Sequence, residues 1–204
     1  MKVYNSLTFQ KEEFEPIHPD QVLMYVCGPT VYDSPHLGHA KSAVAFDLVR
    51  RYLEFKGYNV KVVKNYTDID DKIINRAQEK GIDYETLSEQ YIEEYEKIMN
   101  ALNLKADDKN PRATEIIDFM IDVIETLIEK GHAYESNGSV YFAVKTYKGY
   151  ETLFQNKEEE EYDEEYEIPT DEEPLYGDKH NEKDFVLWKA WKEGEPYWES
   201  PWGR

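Results

Sequence analysis

Two short apolar runs on either side of a helical stretch constrain the fold of this chain most. Residues 22–27 (VLMYVC) form a partly β-branched run and residues 59–65 (NVKVVKN) alternate, so both predict strands. Between them lie a loop over 28–38 and apolar residues at helical spacing over 39–56, and Gly57 is suited to end that helix. Two strands joined by one helix within about forty residues form a βαβ unit, so the pattern predicts an α/β fold with a parallel sheet.

Helical signals dominate the next stretch of the chain. Helices are predicted over 71–80, where Gly81 stops the pattern, and over 84–102. A third helix is predicted to open at Asn110-Pro111, as N-cap and first-turn proline, and its apolar stripe ends at Gly131.

The remaining segments give weaker signals. Asn137-Gly138 predicts a hairpin between 133–136 and 139–144. Trp188 and Trp191 are one helical turn apart, and we expect both to pack on the core. The segment 157–173 holds eleven acids and one lysine, and it is predicted to be mobile.

The composition excludes several classes of protein. The net charge of −19 does not suit a chain that coats nucleic acid, although a local basic patch around Arg50, Arg51 and Lys56 stays open. The single cysteine excludes an internal disulfide framework. No apolar run approaches the roughly 20 residues of a membrane span, so we expect a cytoplasmic protein without a membrane partner.

The segment His36-Leu37-Gly38-His39 lies between the first strand and the helix. Open parallel sheets bind ligands at this position, and the helix N-terminus offers N–H groups to an anion. Gly38 permits close backbone approach to a nucleotide, and the two imidazoles can donate hydrogen bonds to phosphate oxygens. The segment therefore indicates attack of a carboxylate on the α-phosphate of ATP, and the alternative is a pair of surface histidines before a helix.

Cys27 ends the first strand, immediately before this loop. A buried cysteine at a strand end is usually a small apolar residue. At this position its thiolate could instead bind Zn²⁺ beside a substrate pocket, and a soft metal would select cysteine over serine. His18, His132 and His180 do not have ligand spacing to Cys27, so the sequence does not complete a zinc site.

The segment NYTDIDDK over 65–72 follows the second strand. Thr67 and Asp68 are predicted at the same sheet edge as Cys27, where they could meet the ammonium of an amino acid or a ribose. For Asp70 and Asp71 the alternative is equally good, because either carboxylate could cap the helix that follows.

These segments together resemble the cysteinyl-tRNA synthetase family. The HLGH segment fits the HIGH signature of the class I catalytic domain. The other matching segments are spread in order along nearly the whole chain: 4–8 (YNSLT), 25–33 (YVCGPTVYD), 65–73 (NYTDIDDKI), 111–115 (PRATE), 184–189 (DFVLWK) and 200–203 (SPWG).

The resemblance implies a role for each matching site residue. His36 and His39 would be catalytic, Cys27 would be the first zinc ligand, and Gly28 and Thr67 would border the cysteine pocket. Contacts to ATP would come from Thr30, His36, Gly38 and His39. The family's remaining zinc ligands match no position of this chain, so the zinc site is expected to be incomplete.

The resemblance also implies the domain organisation. The fold would be a Rossmann-type parallel sheet of the HIGH-motif nucleotidyl-transferases, with a mixed α+β insertion. Residues 1–104 would be the first half of the catalytic domain, and 105–204 the connective insertion with its acidic segment. The second half and the anticodon-binding domain are expected to be absent, so a separate C-terminal chain is a candidate partner.

The implied activity is ATP-dependent formation of cysteinyl-adenylate and transfer of cysteine to tRNA(Cys), with Mg²⁺ accompanying ATP. Two alternatives stay open. One is a related ligase that joins cysteine to an amino-sugar, as in the mycothiol pathway. The other is a non-catalytic remnant that binds a nucleotide or RNA.

Overall fold

The computed structural model describes residues 1–150 and 179–204, so the predicted mobile segment 157–173 lies outside the described residues. The chain divides into two compact units, one of residues 15–117 and one of residues 1–14 and 118–204. Within the described ranges, no helix is both long and apolar enough to cross a membrane.

The described elements follow one another in a simple order. They are β1 (Lys2–Asn5), β2 (Gln10–Glu13), β3 (Gln21–Val26), α1 (Leu37–Phe55), β4 (Asn59–Lys64), α2 (Asp71–Lys80), α3 (Tyr84–Ala101), α4 (Ile117–Glu129), β5 (Ala133–Ser136), β6 (Ser139–Phe142) and β7 (Phe185–Trp188), with short 3₁₀ turns at Ala113–Ile116 and Val144–Thr146.

The predicted βαβ unit is confirmed. β3 and β4 pair in parallel along their whole length, from Gln21 opposite Asn59 to Val26 opposite Lys64. α1 begins at Leu37, two residues before the predicted start, because His36 rather than Gly38 is the N-cap residue. The two strands therefore end side by side, and β3 leads into the loop that ends at His36.

A third stretch of chain lies along the other edge of β4, where the sequence predicted a helix. The backbone N–H groups of Lys64 and Tyr66 donate to the carbonyls of Lys109 and Pro111, at 3.0 and 2.9 Å. The predicted start of a helix at Asn110-Pro111 is therefore wrong, since these residues satisfy the sheet edge and α4 begins only at Ile117.

The core of this unit is built mainly by α2 and α3. Ile73 of α2 and Leu87 of α3 are completely buried there. They pack with apolar residues from the helices and from the loops beyond the strands, namely Val31, Ala43, Tyr66, Ala77, Tyr91, Ile92, Tyr95 and Met99. The helices predicted over 71–80 and 84–102 are confirmed to within one residue.

The other unit contains the predicted hairpin. β5 and β6 pair antiparallel, and Asn137 and Gly138 between them both have positive φ, 50° and 79°. This two-residue turn matches the right-handed twist of the strands, which is why Asn-Gly predicts it well.

The tryptophans of this unit correct one expectation. Trp188 ends β7, which pairs antiparallel with β6, and its ring packs 6.0 Å from that of Trp202. Trp191 lies beyond the strand, 38% exposed, and its Nε1–H donates to the carbonyl of Glu195. The prediction that both pack on the core at helical spacing is wrong, because the strand ends between them.

Candidate nucleotide and amino-acid site

The carboxyl ends of β3 and β4 form a rim, here residues 27–30 and 65–68, at which most of the predicted site residues meet. The loop after β3 stays paired with the chain after β4, since the N–H of Val31 donates to Thr67 and the N–H of Thr67 donates to Pro29, both at 3.1 Å. Thr30 therefore lies directly opposite Thr67. The structure brings together these two residues, which the sequence assigned to different ligands.

Asn65 connects the two halves of this rim, and sequence reasoning gave it no role. Its Oδ1 accepts hydrogen bonds from the N–H of Gly28 at 2.8 Å and from the hydroxyl of Tyr25 at 2.9 Å. Its Nδ2 donates to Oγ1 of Thr67 at 3.3 Å. The sequence signal that could have identified it was an asparagine immediately after the strand, at the sheet edge where ligands bind.

Gly28 has a structural reason to be glycine. A Cβ on Gly28 would lie 1.5 Å from the backbone oxygen of Asn65. The backbones after the two strands therefore touch, and no side chain fits between them. Its predicted place beside a substrate stays a prediction, because packing alone requires glycine here.

The HLGH segment forms a reciprocal cap at the start of α1. Nδ1 of His36 accepts from the N–H of Gly38 at 3.0 Å, and Nδ1 of His39 accepts from the N–H of His36 at 3.1 Å. This arrangement resembles the capping box, with imidazole nitrogens in place of the usual hydroxyl and carboxylate oxygens. An Nδ1 that accepts a hydrogen bond carries no proton, so each neutral ring holds its proton on Nε2.

The two imidazoles lie close together and keep one donor each. Their ring centroids are 4.0 Å apart. Burial, and then the neighbouring His36, lower the pKa of His39 below its ordinary value of 6.5. His39 is therefore neutral at pH 7 and offers an uncharged Nε2–H donor in the first turn of α1.

Gly38 is required by the same cap. A Cβ on Gly38 would lie 2.8 Å from Cε1 and 2.9 Å from Nδ1 of His36. The predicted reason for this glycine was close approach of a nucleotide. The structure adds a second reason, because the ring of His36 folds over Gly38.

Cys27 is exposed at the rim rather than buried in the core. Its nearest recorded polar contact is the carbonyl of Gly28, 3.8 Å from Sγ. Within residues 1–150 and 179–204, no three His, Cys, Asp or Glu side chains come together as metal ligands. A zinc ion needs three or four such ligands, so the described residues do not make a zinc site by themselves.

The aspartates after β4 serve the local fold. Asp70 is the N-cap of α2 and accepts from the N–H of Lys72 at 2.9 Å. Asp68 is 4% exposed and accepts from the N–H and hydroxyl of Thr114, at 3.1 and 2.6 Å. The expectation that Asp68 offers its carboxylate to a substrate is wrong, since both of its oxygens face the 3₁₀ turn.

The suggested basic patch on α1 is largely neutralised. Arg50 pairs with Glu54 and Asp108, at 3.2 and 3.3 Å, and Arg51 pairs with Asp47. The pair with Asp108 holds α1 against the loop that leads to the edge of β4, and both arginines also donate to backbone carbonyls of that loop. Because both arginines already bind groups of this chain, the sequence argument that they form a basic patch for RNA no longer holds.

A parallel pair of strands joined by one helix defines an α/β protein with a Rossmann-like fold. Solved structures share this fold. In methionyl-tRNA synthetase of Mycobacterium tuberculosis in complex with methionyl-adenylate, the match has a TM-score of 0.51 and 20% identity, over 60% of this chain and 25% of that one. A second structure of that enzyme with methionyl-adenylate also gives 0.51, at 21% identity.

Within this class, the chain belongs to the family of class I (C) tRNA synthetase catalytic domains, whose model matches residues 13–204. The curated relatives it resembles are named cysteine–tRNA ligases. The chain is 53% identical over 203 residues to that of Pyrococcus horikoshii and 52% identical over 202 residues to that of Lachnoclostridium phytofermentans. It spans 41% and 42% of the length of these two relatives.

Proposed function

We propose that this chain carries the amino-acid-activating part of a cysteine–tRNA ligase. The observation that carries the proposal is the reciprocal cap at the start of α1, which uses Nδ1 of His36 and of His39 and leaves their Nε2–H groups as donors. The relatives at 52–53% identity, all named cysteine–tRNA ligases, support cysteine as the amino acid.

In the proposed reaction, a carboxylate oxygen of cysteine attacks the α-phosphorus of ATP. The bond from this phosphorus to the bridging oxygen breaks, and pyrophosphate leaves with the electron pair. No protein nucleophile or proton transfer is needed, so the chain contributes by positioning and by hydrogen bonding to the phosphate oxygens. His36 and His39 supply those bonds from Nε2, and Gly38 and Thr30 complete the proposed ATP contacts.

The rim supplies the proposed amino-acid contacts. Gly28 precedes Thr30 in the chain after β3, and Thr67 lies opposite Thr30 in the chain after β4. We propose that Gly28 and Thr67 border the cysteine. Cys27 is the proposed first ligand of a zinc ion, with its other ligands outside the described residues. Bound zinc would hold the substrate sulfur and disfavour serine. Mg²⁺ would enter with ATP.

The later step, transfer of cysteine to tRNA(Cys) in the cytoplasm, requires more protein in this proposal. We propose residues 1–104 as the first half of the catalytic domain and 105–204 as the connective insertion. A separate C-terminal chain is the proposed partner. In support, Leu48 and Phe55 of α1 and Leu23 and Tyr25 of β3 are exposed by 66–83% in the chain taken alone, whereas strands of a parallel sheet are normally covered on both faces.

Cysteine-dependent exchange of pyrophosphate into ATP tests the activation step. It should be measured with and without the remaining part of a related ligase as a second chain. His39→Ala is expected to slow exchange by about 10²–10³-fold, as for the loss of one donor to the transition state. His132→Ala is the matched control, because His132 bonds to Thr146 in the other unit.

Two further comparisons separate the alternatives. Cys27→Ser should spare ATP binding and weaken the preference for cysteine over serine. Charging of tRNA(Cys) against ligation to an amino-sugar separates the synthetase from the mycothiol-type ligase. Exchange that proceeds with serine but not with cysteine would contradict the proposal, and nucleotide binding without any exchange would favour the remnant.

A further inference from the structure

We propose that Asn65 is a positioning residue for the amino-acid substrate, which acts by locking the chain after β3 to the chain after β4. This inference rests on the proposed function of the rim. It assigns to Asn65 no contact with the substrate. Asn65 acts through Gly28 and Thr67, the two residues proposed to border the cysteine, and through the peptide that joins Gly28 to Cys27.

The geometry of the Asn65 amide supports this role. Its oxygen holds the N–H of Gly28 at 2.8 Å and its nitrogen donates to the Thr67 hydroxyl at 3.3 Å, so one planar group fixes one residue from each side of the rim. Because an amide presents its acceptor and its donor at a fixed separation, the two residues cannot shift independently while both bonds persist. The third bond, from the Tyr25 hydroxyl, orients the amide oxygen.

The close approach at Gly28 shows why such a lock matters here. The ladder between β3 and β4 ends at Val26 and Lys64. Beyond it the backbones of Gly28 and Asn65 touch, with no room for a Cβ. Backbone hydrogen bonds resume only where Thr67 pairs with Pro29 and Val31. The side-chain bonds of Asn65 span the gap between the end of the ladder and this pairing.

Asn110, which contacts the last residue of β4, provides a comparison because its hydrogen bonds do not reach the rim. Asn110 is also half-buried, and its Nδ2 donates to the carbonyl of Lys64 and to Asp107, both at 3.0 Å. It therefore supports the adjacent residue of β4 with two bonds, without touching Gly28 or Thr67. Asn110→Ala should reproduce the general cost of losing an asparagine here and leave the rim intact.

The first measurement tests the contact. Hydrogen exchange of the Gly28 amide, followed by NMR, should be slowed in the wild-type chain because Asn65 accepts its proton. Asn65→Ala should accelerate this exchange by about tenfold or more, the equivalent of one lost hydrogen bond. Asn110→Ala should leave it unchanged. Unchanged exchange in Asn65→Ala would overturn the proposal, because the lock would then not exist in solution.

The second measurement tests the role, with cysteine-dependent pyrophosphate exchange in the chain, supplemented by its C-terminal partner if activation needs one. Asn65→Ala should raise KM for cysteine about tenfold and change KM for ATP no more than Asn110→Ala does. Asn65→Asp keeps the acceptor for Gly28 and can accept from the Thr67 hydroxyl, so it should restore cysteine KM to within about threefold of the wild type.

The possible failures are distinguishable. If the wild type shows no cysteine-dependent exchange, the proposed function fails, and the inference about substrate positioning fails with it. If the wild type is active and Asn65→Ala raises cysteine KM no more than Asn110→Ala does, the proposed function stands and the inference is overturned. Equal increases of KM for cysteine and ATP would also overturn it, because they would indicate a general loosening of the fold.

Discussion

Replacement of Gly38 by alanine should separate the stability of α1 from the function of its first turn. Alanine favours a helix over glycine by up to about 1 kcal/mol. Against this, the new Cβ would lie 2.8 Å from the ring of His36 and displace it, and loss of such a cap costs about 0.5–2 kcal/mol. The two effects nearly offset each other, so we expect the free energy of unfolding to change by no more than about 1 kcal/mol.

The function should respond differently. In Gly38→Ala, His36 loses the N–H that fixes its tautomer, and one oriented Nε2–H donor disappears from the start of α1. If the proposed activation step is right, loss of one oriented donor should slow pyrophosphate exchange by about 10²–10³-fold. The variant would then be folded and nearly inactive, which a change in helix stability cannot produce.

Three measurements check this prediction. Urea unfolding gives the stability, long-range ¹H–¹⁵N NMR of the imidazoles gives the tautomer of His36, and pyrophosphate exchange gives the activity. Ala45→Gly is the control, because it lowers helix propensity by about 1 kcal/mol at an exposed position of α1 without touching the cap. The reasoning is refuted if His36 keeps its Nε2–H tautomer in Gly38→Ala, or if the variant loses several kcal/mol of stability.

Three further variants test neighbouring features. The pKa of His39 is lower in the folded chain than its ordinary 6.5, so the folded state binds fewer protons than the unfolded state between these two values. The free energy of unfolding should therefore fall as the pH drops from about 7.5 to about 5, as measured by urea unfolding. His39→Gln, which keeps an acceptor for the His36 N–H but does not titrate, should reduce that fall. Gly28→Ala should destabilise the chain by more than about 3 kcal/mol in urea unfolding. Its Cβ would lie 1.5 Å from a backbone oxygen, and a backbone cannot rotate away as a side chain can. A loss below about 1 kcal/mol would show that the two backbones are further apart. Asp70→Ala should lower the free energy of unfolding by about 0.5–2 kcal/mol, because α2 loses its N-cap, and Asp70→Asn should restore most of this loss. Neither variant should change the KM for cysteine. A changed KM would indicate that Asp70 belongs to the substrate site.

Local patterns predicted those parts of the fold in which the chain satisfies its own hydrogen bonds. α2 and the Asn137-Gly138 hairpin are of this kind, since the residues that begin or end them are neighbours in sequence. The segment at Asn110-Pro111 differs, because its N-cap and proline signals were genuine but the edge of β4 offered longer-range partners. A sequence pattern that covers the length of one helix does not show these longer-range hydrogen-bond partners.

The candidate site divides in the same way. The order of strand, HLGH segment and helix predicted that the two histidines stand at the start of the helix, and the structure places them there. That this edge binds a ligand stays a prediction. The reciprocal cap that fixes their tautomer could be recognised only from coordinates, because histidine is not among the usual capping residues. Asn65 was missed for another reason, since its three partners include one residue 40 positions away and one 37 away.

In the proposed function, the same few residues serve both local folding and ligand binding. His36 ends the loop by capping α1 through Nδ1, and that cap leaves its Nε2–H as a donor. Gly28 allows two backbones to touch, and that contact is what brings Cys27 and Thr67 to one rim. A capping histidine uses one ring nitrogen for the fold and offers the other to the proposed ligand. Substitutions that keep the group needed for the fold and remove the group proposed to bind the ligand are therefore the informative ones. His39→Glu, whose ionised carboxylate keeps an acceptor for the cap and carries no donor, is such a substitution: it should unfold like the wild type at pH 7 and activate cysteine far more slowly.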